Sequence, residues 1–158
     1  MSKLDLSAIE RVLRSADASR TIAAQDIAKI TQLKACGLDA SCFGGDLAAL
    51  AQLRRLDISR NKFESLKGVD QFPQLDYLIC TSNQLTSLAG LEACREMKIL
   101  HASDNQLADV RAVSCFPKLA ALILNKNKLS SLPRLVCVAF GCVSVYIMSE
   151  RYRTVLAG

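Results

Sequence analysis

The sequence predicts an α/β solenoid built from short stacked repeats, and two observations support that prediction. The chain has 158 residues, and four of its asparagines follow one another at intervals of 22 residues. Around each asparagine the same positions stay apolar, while the residues between them change freely. A fixed period of this length marks a repeat architecture. The four asparagines are Asn61, Asn83, Asn105 and Asn127.

Each asparagine closes the same frame of apolar residues. In the second copy Leu75, Leu78 and Cys80 precede Asn83 with the spacing L-x-x-L-x-L. This spacing places alternate side chains on one face of a short strand. The strand then ends, and the asparagine amide is positioned to hydrogen-bond backbone groups that would otherwise be buried without partners. We therefore expect the four asparagines to form a ladder along the stack.

After each asparagine, apolar residues fall at every third position. In the first copy they are Phe63, Leu66, Val69 and Phe72. This spacing suits extended or 3₁₀-like segments on the outer, convex side of the solenoid. One repeat cannot bury its own apolar face, so neighbouring repeats must stack to make a continuous core.

The frame resembles the leucine-rich repeat, and the resemblance covers residues 30–135. The segments Ser65–Val69 and Ser87–Leu91 make it similar to the 22-residue subclass of that family. This subclass includes the regulatory subunit of protein phosphatase 1, the axonemal outer-arm dynein light chain and the spliceosomal A-prime protein. The resemblance implies a leucine-rich repeat solenoid with a curved parallel sheet, an N-terminal capping helix and an irregular C-terminal cap.

The ends of the chain depart from the repeat and divide it into three segments. Residues 1–29 are predicted to form a helical N-terminal cap, because a solenoid needs elements that cover the ends of its core. Residues 30–135 hold one degenerate and four regular repeats. Residues 136–158 are predicted to be a C-terminal extension or a shortened cap.

The N-terminal cap is predicted to be an amphipathic helix over residues 5–16. Ser7 and Glu10 have the spacing of a capping box at the start of that helix. A helix that binds a partner is the alternative interpretation. The apolar face of the helix consists of Leu6, Ile9, Val12 and Leu13.

Residues 30–38 then read as a degenerate opening repeat without the asparagine, and residues 43–50 complete its convex side.

The C-terminal segment begins with an uncharged run over residues 135–149. That run is too short to cross a bilayer comfortably, since a spanning helix takes about 20 residues. Its β-branched content favours one or two strands that extend the sheet. A membrane segment and an irregular tail are the alternatives. Residues 152–156 resemble the start of the cap of the subclass, whose later proline and Leu-Asp pair are absent, so either the cap is shortened or the chain is incomplete.

Composition indicates one domain in a reducing compartment. The chain is 51% hydrophobic with a net charge of +5, and its charges form no long run. Charged residues interrupt the N-terminus, which does not read as a signal peptide. The seven cysteines include no C-x-x-C pair. Cys80, Cys94 and Cys115 lie in or beside core positions of the repeats and are best explained as reduced, buried thiols. We expect a cytoplasmic protein, with the nucleus or a flagellum as alternatives. Two cysteine pairs remain conceivable, Cys36 with Cys42 and Cys137 with Cys142.

No motif indicates catalysis. The sequence has one histidine, His101, and no nucleophile elbow, phosphate-binding loop, dinucleotide fingerprint or metal-ligand spacing. We therefore expect no catalytic residue, no cofactor and no metal site. His101 is expected to be a surface contact residue.

The repeat frame assigns the variable residues to the concave face of the sheet. At positions that should face solvent, three isoleucines with Tyr77 and His101 form a compact patch with a charged rim. An apolar centre with a charged rim is typical of interface cores, and tyrosine and arginine are enriched at binding hot spots. The predicted partner-binding residues are Arg55, Asp57, Arg60, Tyr77, Ile79, Ile99, His101, Asp104, Ile123 and Lys126.

The sequence thus favours a non-catalytic protein-interaction module or scaffold with a protein partner on the concave face. The resemblance implies regulation of the catalytic subunit of protein phosphatase 1 as one such function. A structural component of a large assembly, such as an axoneme or an RNA–protein particle, is the alternative. Direct nucleic-acid binding is not expected, because basic residues are not interleaved with aromatic platforms. A membrane partner is not expected either.

Overall fold

Short strands stacked side by side form one sheet along the length of the molecule. The computed structural model describes residues 2–16, 24–129, 145–148 and 153–156. The main sheet has seven strands in the order β2-β4-β5-β6-β7-β8-β9, and β1 and β3 form a separate pair. The strands are β1 Ser2–Leu4, β2 Gln32–Lys34, β3 Ala40–Phe43, β4 Arg55–Asp57, β5 Tyr77–Ile79, β6 Ile99–His101, β7 Ala121–Ile123, β8 Val145–Met148 and β9 Arg153–Leu156.

The strands from β2 to β8 pair in parallel, and each regular repeat pairs with the next in a constant register. Leu56, Leu78, Leu100 and Leu122 lie directly beside one another in this register. All four are buried, as are the apolar residues that flank them in the frame. Because side chains alternate across a strand, the residues between them lie on the opposite face of the sheet. We call that opposite face the concave face.

The asparagine ladder is present as the spacing predicted. Asn105, which is 8% exposed, accepts a hydrogen bond from the Leu85 N–H at 3.0 Å. Its amide donates to the carbonyls of Cys80, Ala102 and Ser103 at 2.9–3.2 Å. Asn61, Asn83 and Asn127 make the equivalent hydrogen bonds in their own repeats. The ladder therefore joins each repeat to its neighbour through backbone groups that would otherwise lack partners.

The residue before each asparagine lies in the left-handed backbone region. Arg60, Ser82, Asp104 and Lys126 have φ angles between 54° and 56°. Such angles are uncommon in residues other than glycine. In the degenerate repeat Gly37 takes the equivalent place with φ 67°, and the half-buried Leu38 follows at the ladder position.

The convex side consists of 3₁₀ helices and extended turns, as the three-residue spacing indicated. The 3₁₀ helices are Ala48–Leu50, Val69–Gln71 and Arg111–Cys115. The second regular repeat lies between the last two of these helices, and its convex segment turns at Gly90, which has φ 103°. A Cβ atom there would lie 2.7 Å from the Leu66 carbonyl oxygen, so only glycine fits without a shift of the backbone.

The N-terminal helix α1 spans Leu6–Ala16, close to the predicted bounds, and a short helix α2 spans Ala24–Ile27. The predicted capping box is wrong. Asp5 caps α1, because its carboxylate accepts the Ala8 N–H at 2.9 Å. Ser7 therefore lies in the first turn, and Glu10 pairs with Arg14 at 3.4 Å. Ile9 is buried in the core, and Leu6 and Leu13 pack against it, so the predicted apolar face does cover one end of the solenoid.

Strand β1 was not expected from the sequence. It pairs in parallel with β3, and its last residue, Leu4, is buried. At the other end β8 extends the main sheet in parallel from β7, and β9 returns antiparallel to β8. The expectation that one or two strands follow the repeats is therefore confirmed for these residues. Leu132 and Leu135 of the fourth repeat, Tyr152 of the expected cap, and Cys137 and Cys142 lie outside the described residues.

The cysteines of the described repeats form no disulfide bonds with one another. Cys80 and Cys94 are fully buried, and Cys115 is half-buried, in agreement with the prediction that thiols act here as small apolar groups. Cys36 and Cys42, a candidate pair from the sequence, are both free.

Candidate concave binding face

Two rows of side chains cross the concave face, and the register of the sheet fixes their order. In the first row Arg55, Tyr77, Ile99 and Ala121 are neighbours on successive strands. The second row, two residues further along each strand, consists of Asp57, Ile79, His101 and Ile123.

The five central residues of these rows are contiguous, and we call them the concave patch. Tyr77 and Ile99 are direct neighbours, and His101 lies between Ile79 and Ile123. Adjacent strands are about 4.8 Å apart, so side chains in one row are within contact range of one another. All five side chains are half-buried by their neighbours but remain open to solvent on one side. The concave patch consists of Tyr77, Ile79, Ile99, His101 and Ile123.

His101 is the only titratable side chain in the second row that isoleucines flank on both sides. Burial lowers the pKa of His101, and the negative charge of Asp57 opposes that shift only in part. Its Nε2 atom lies 3.1 Å from the Ser103 hydroxyl oxygen. The imidazole is therefore neutral at neutral pH, and the concave patch then carries no charge at its centre.

Asp57 lies at the edge of the concave patch, and its carboxylate is already partly satisfied. The Ser59 N–H and hydroxyl donate to it at 3.0 and 2.6 Å. Burial alone would raise the pKa of Asp57, but these two hydrogen bonds hold that pKa below its usual range. Asp57 therefore remains ionised at neutral pH.

The remaining predicted residues form a rim around the concave patch. Arg55 is exposed and lies with its guanidinium carbon 5.8 Å from the centre of the Tyr77 ring, a cation–π arrangement. Arg60, Asp104 and Lys126 are exposed at the left-handed positions where each strand ends. Asp104 accepts a hydrogen bond from the Ser82 hydroxyl at 2.8 Å. The structure thus brings all ten predicted residues onto one face or its adjoining edge.

The opening repeat also contributes to this face, which was not predicted from the sequence. Lys34 pairs in register with Asp57, and Gln32 pairs with Arg55, so both rows begin one strand earlier than predicted. The ladder asparagine is replaced there, and Leu33 precedes Leu56 by 23 residues instead of 22. Ile30, Leu33 and Ala35 have the apolar spacing of the repeat frame. That spacing could have placed Gln32 and Lys34 in the two rows of the concave face.

Metal ligands and two of the thiols were compared with what their chemistry requires. No group of three histidine, cysteine, aspartate or glutamate side chains is placed to hold a metal ion in the described ranges. Burial raises the pKa of the Cys36 thiol to about 11 and that of Cys80 to about 12. Both thiols are therefore protonated at neutral pH and are poor nucleophiles.

Comparison with solved structures places this arrangement in a known fold. Internalin C2 of Listeria monocytogenes aligns over 89% of this chain and 92% of its own, with 14% identity and a TM-score of 0.53. The internalin inlF of the same organism aligns over 91% of this chain, with 16% identity and a TM-score of 0.63. A leucine-rich repeat protein of Leptospira interrogans aligns over 80%, with 20% identity and a TM-score of 0.62.

The fold is the leucine-rich repeat. The chain spans 49% of the inlF chain and 38% of the Leptospira chain that it matches. No protein-family model matches the sequence, and no curated protein matches it significantly. Within the described ranges of this leucine-rich repeat chain, no helix is both long enough and apolar enough to cross a membrane.

Proposed function

We propose that this leucine-rich repeat chain is a non-catalytic protein-interaction module and that its concave patch is the surface that binds the partner. One observation carries the proposal. Tyr77, Ile79, Ile99 and Ile123 form, together with His101, one contiguous group on the concave face of the sheet, outside the core. The leucine-rich repeat fold of the neighbouring structures supports a role in protein–protein interaction.

The composition of the concave patch supports the same proposal. Interface cores are depleted in charge and rich in aromatic and aliphatic side chains, and a polar rim surrounds them. Here the neutral His101 and the isoleucines form the centre, and Arg55 and Lys126 belong to the rim. A partner that covers the centre would remove apolar area from water at about 25 cal/mol per Å².

Two narrower functions rest on the sequence resemblance alone. One is regulation of the catalytic subunit of protein phosphatase 1, and the other is a structural role in an axoneme or an RNA–protein particle. A pull-down with purified phosphatase catalytic subunit separates them. Retention of the catalytic subunit at micromolar concentration would support the regulatory function. If the catalytic subunit is not retained, the structural role in an assembly is the remaining function. Proximity labelling of a tagged copy then tests the assembly and its place in cytoplasm, nucleus or flagellum.

Two acidic substitutions in the concave patch test the proposed binding surface. Ile79→Asp together with Ile99→Asp is expected to weaken binding of a partner purified from the native source by more than about tenfold, or more than about 1.4 kcal/mol. The physical reason is that two carboxylates would have to lose their water on binding. Isothermal titration calorimetry measures the change in Kd.

A matched control separates loss of the surface from loss of the fold. Ala49→Asp together with Ala93→Asp introduces the same charges at exposed positions on the convex side, so this variant should bind as the unmodified chain does. Both variants should keep their far-ultraviolet circular dichroism. Unchanged affinity in the concave variant would exclude the concave patch as the binding surface.

Binding is expected to weaken on acidification because of His101. Its pKa is lowered in the free chain, and a partner that covers the concave patch would lower it further. The complex therefore favours the neutral imidazole, and binding should weaken as the pH falls through the lowered pKa of His101 in the free chain. A His101→Gln variant should lose this pH dependence. If the variant keeps the same pH dependence, His101 is not part of the interface.

A further inference from the structure

The charges of the concave face are distributed unevenly around the concave patch. At its N-terminal side the exposed cations Lys34, Arg55 and Arg60 share the two rows and the adjoining strand ends with one carboxylate, that of Asp57. Asp76 also lies near Arg55, but its carboxylate pairs with Lys98. At the C-terminal side one carboxylate, Asp104, and one cation, Lys126, balance each other. The surplus positive charge therefore lies on one side of the apolar centre, and we call these three cations the cationic zone.

The members of the cationic zone have no carboxylate partner among the described residues. The ion pairs found in the described part of the chain all lie off the concave face. Asp57 is the nearest acid in sequence register, and the two donors of Ser59 already occupy its carboxylate. Lys34, Arg55 and Arg60 thus present free donors to solvent. The ion pairs found elsewhere are Arg14–Glu10, Lys62–Asp39, Lys98–Asp76, Arg111–Asp109 and Lys118–Glu96.

The cationic zone and the concave patch are close enough for one short segment to contact both. Arg55 is the direct register neighbour of Tyr77, and Lys34 is two strands from Ile79. These separations correspond to about 5 and about 10 Å across the sheet. A few extended residues span such distances, since each adds about 3.3 Å. One peptide segment can therefore place a carboxylate on the cations and an apolar side chain on the isoleucines.

We propose that the partner binds through a segment that combines acidic residues with an aliphatic or aromatic anchor. The acidic residues pair with Lys34, Arg55 and Arg60, and the anchor packs on Ile79 and Ile99. This inference rests on the proposed function, because it names the chemistry of the partner on the same surface. Opposite charges near an apolar centre orient such a segment and raise its rate of association.

An acidic peptide fits this surface better than a nucleic acid does. Phosphates could also meet the three cations, but single strands bind proteins that offer aromatic side chains for base stacking. Tyr77 is the one aromatic residue in the concave patch, and its ring already lies beside Arg55. The isoleucines provide apolar packing with no stacking plane.

Selection from a random peptide library displayed on phage, with the whole chain as bait, tests this chemistry. Enriched peptides are expected to carry Asp or Glu within a few residues of an aliphatic or aromatic residue. The best peptide is then synthesised and titrated against the Lys34→Glu, Arg55→Glu variant. Affinity should fall by about tenfold or more, since two attractive pairs become repulsive. Replacing the acidic residues of the peptide with lysine should restore binding to that variant.

Other outcomes overturn the inference, and they do so in distinguishable ways. Enrichment of neutral or basic peptides that still require Ile79 and Ile99 would contradict the acidic partner and leave the proposed binding surface intact. Peptides that bind the Ile79→Asp, Ile99→Asp variant with unchanged affinity would contradict both the acidic partner and the proposed binding surface. Retention of a single-stranded RNA oligonucleotide that depends on Lys34 and Arg55, with no peptide enriched, would replace the acidic peptide with a nucleic acid. A selection that enriches nothing also counts against the proposal.

Discussion

Asn105→Ala is expected to lower the free energy of unfolding by roughly 3 kcal/mol, because several buried backbone groups lose their hydrogen-bond partner at once. The Leu85 N–H and the carbonyls of Cys80, Ala102 and Ser103 all bond to this one side chain. A buried donor or acceptor left unsatisfied costs about 1–3 kcal/mol. Urea denaturation followed by circular dichroism measures the loss.

Asn105→Asp provides a sharper version of the experiment. The carboxylate can still accept from the Leu85 N–H, but it faces three carbonyl oxygens to which it cannot donate. Those oxygens should raise the folded-state pKa of the introduced carboxyl above its unfolded value of about 3.9. The folded variant then binds a proton more tightly than the unfolded chain. Its stability deficit relative to the unmodified chain should therefore shrink as the pH falls toward about 4. A deficit independent of pH would show that the side chain does not face these carbonyls.

Leu100→Ala is expected to destabilise the chain by roughly 2–5 kcal/mol, the range for a buried leucine reduced to alanine. Leu100 is fully buried between Leu78 and Leu122 in the row that joins successive repeats. The cavity would interrupt the stack at its centre, where neighbours on both sides hold the strands in place. Thermal and urea denaturation both report the change.

The neighbouring residue supplies a matched control for Leu100. Ile99 lies on the same strand but on the concave face and is only half-buried. Ile99→Ala should therefore cost about 1 kcal/mol or less. If the two substitutions destabilise equally, the assignment of core and concave positions along the strand is incorrect.

Sequence could predict the regular repeats because each copy repeats the same physical constraint. Burial of Leu100 and its equivalents, the ladder through Asn105 and the placement of Ile79 on the concave face all follow from one spacing. The opening repeat was harder, since Leu38 replaces the asparagine and the register lengthens by one residue. Lys34 was therefore missing from the predicted rim.

Features that depend on a single tertiary contact could not be read from the spacing. Strand β1 forms only because β3 offers it a partner, and three residues carry no periodic pattern of their own. The helix cap was assigned to Ser7 because its spacing to Glu10 fits a capping box, but Asp5, two residues earlier, accepts the Ala8 N–H. The contact residues of the concave face could be placed from the sequence, whereas the identity of their partner requires chemistry outside the chain.

Hydroxyl-radical footprinting of the complex with the natural partner tests the concave binding surface most directly. Tyr77, Ile79, Ile99 and Ile123 should lose reactivity on binding, while the half-buried Cys115 on the convex side should react as in the free chain. Protection of Cys115 with unchanged reactivity of Tyr77 and the isoleucines would contradict the account.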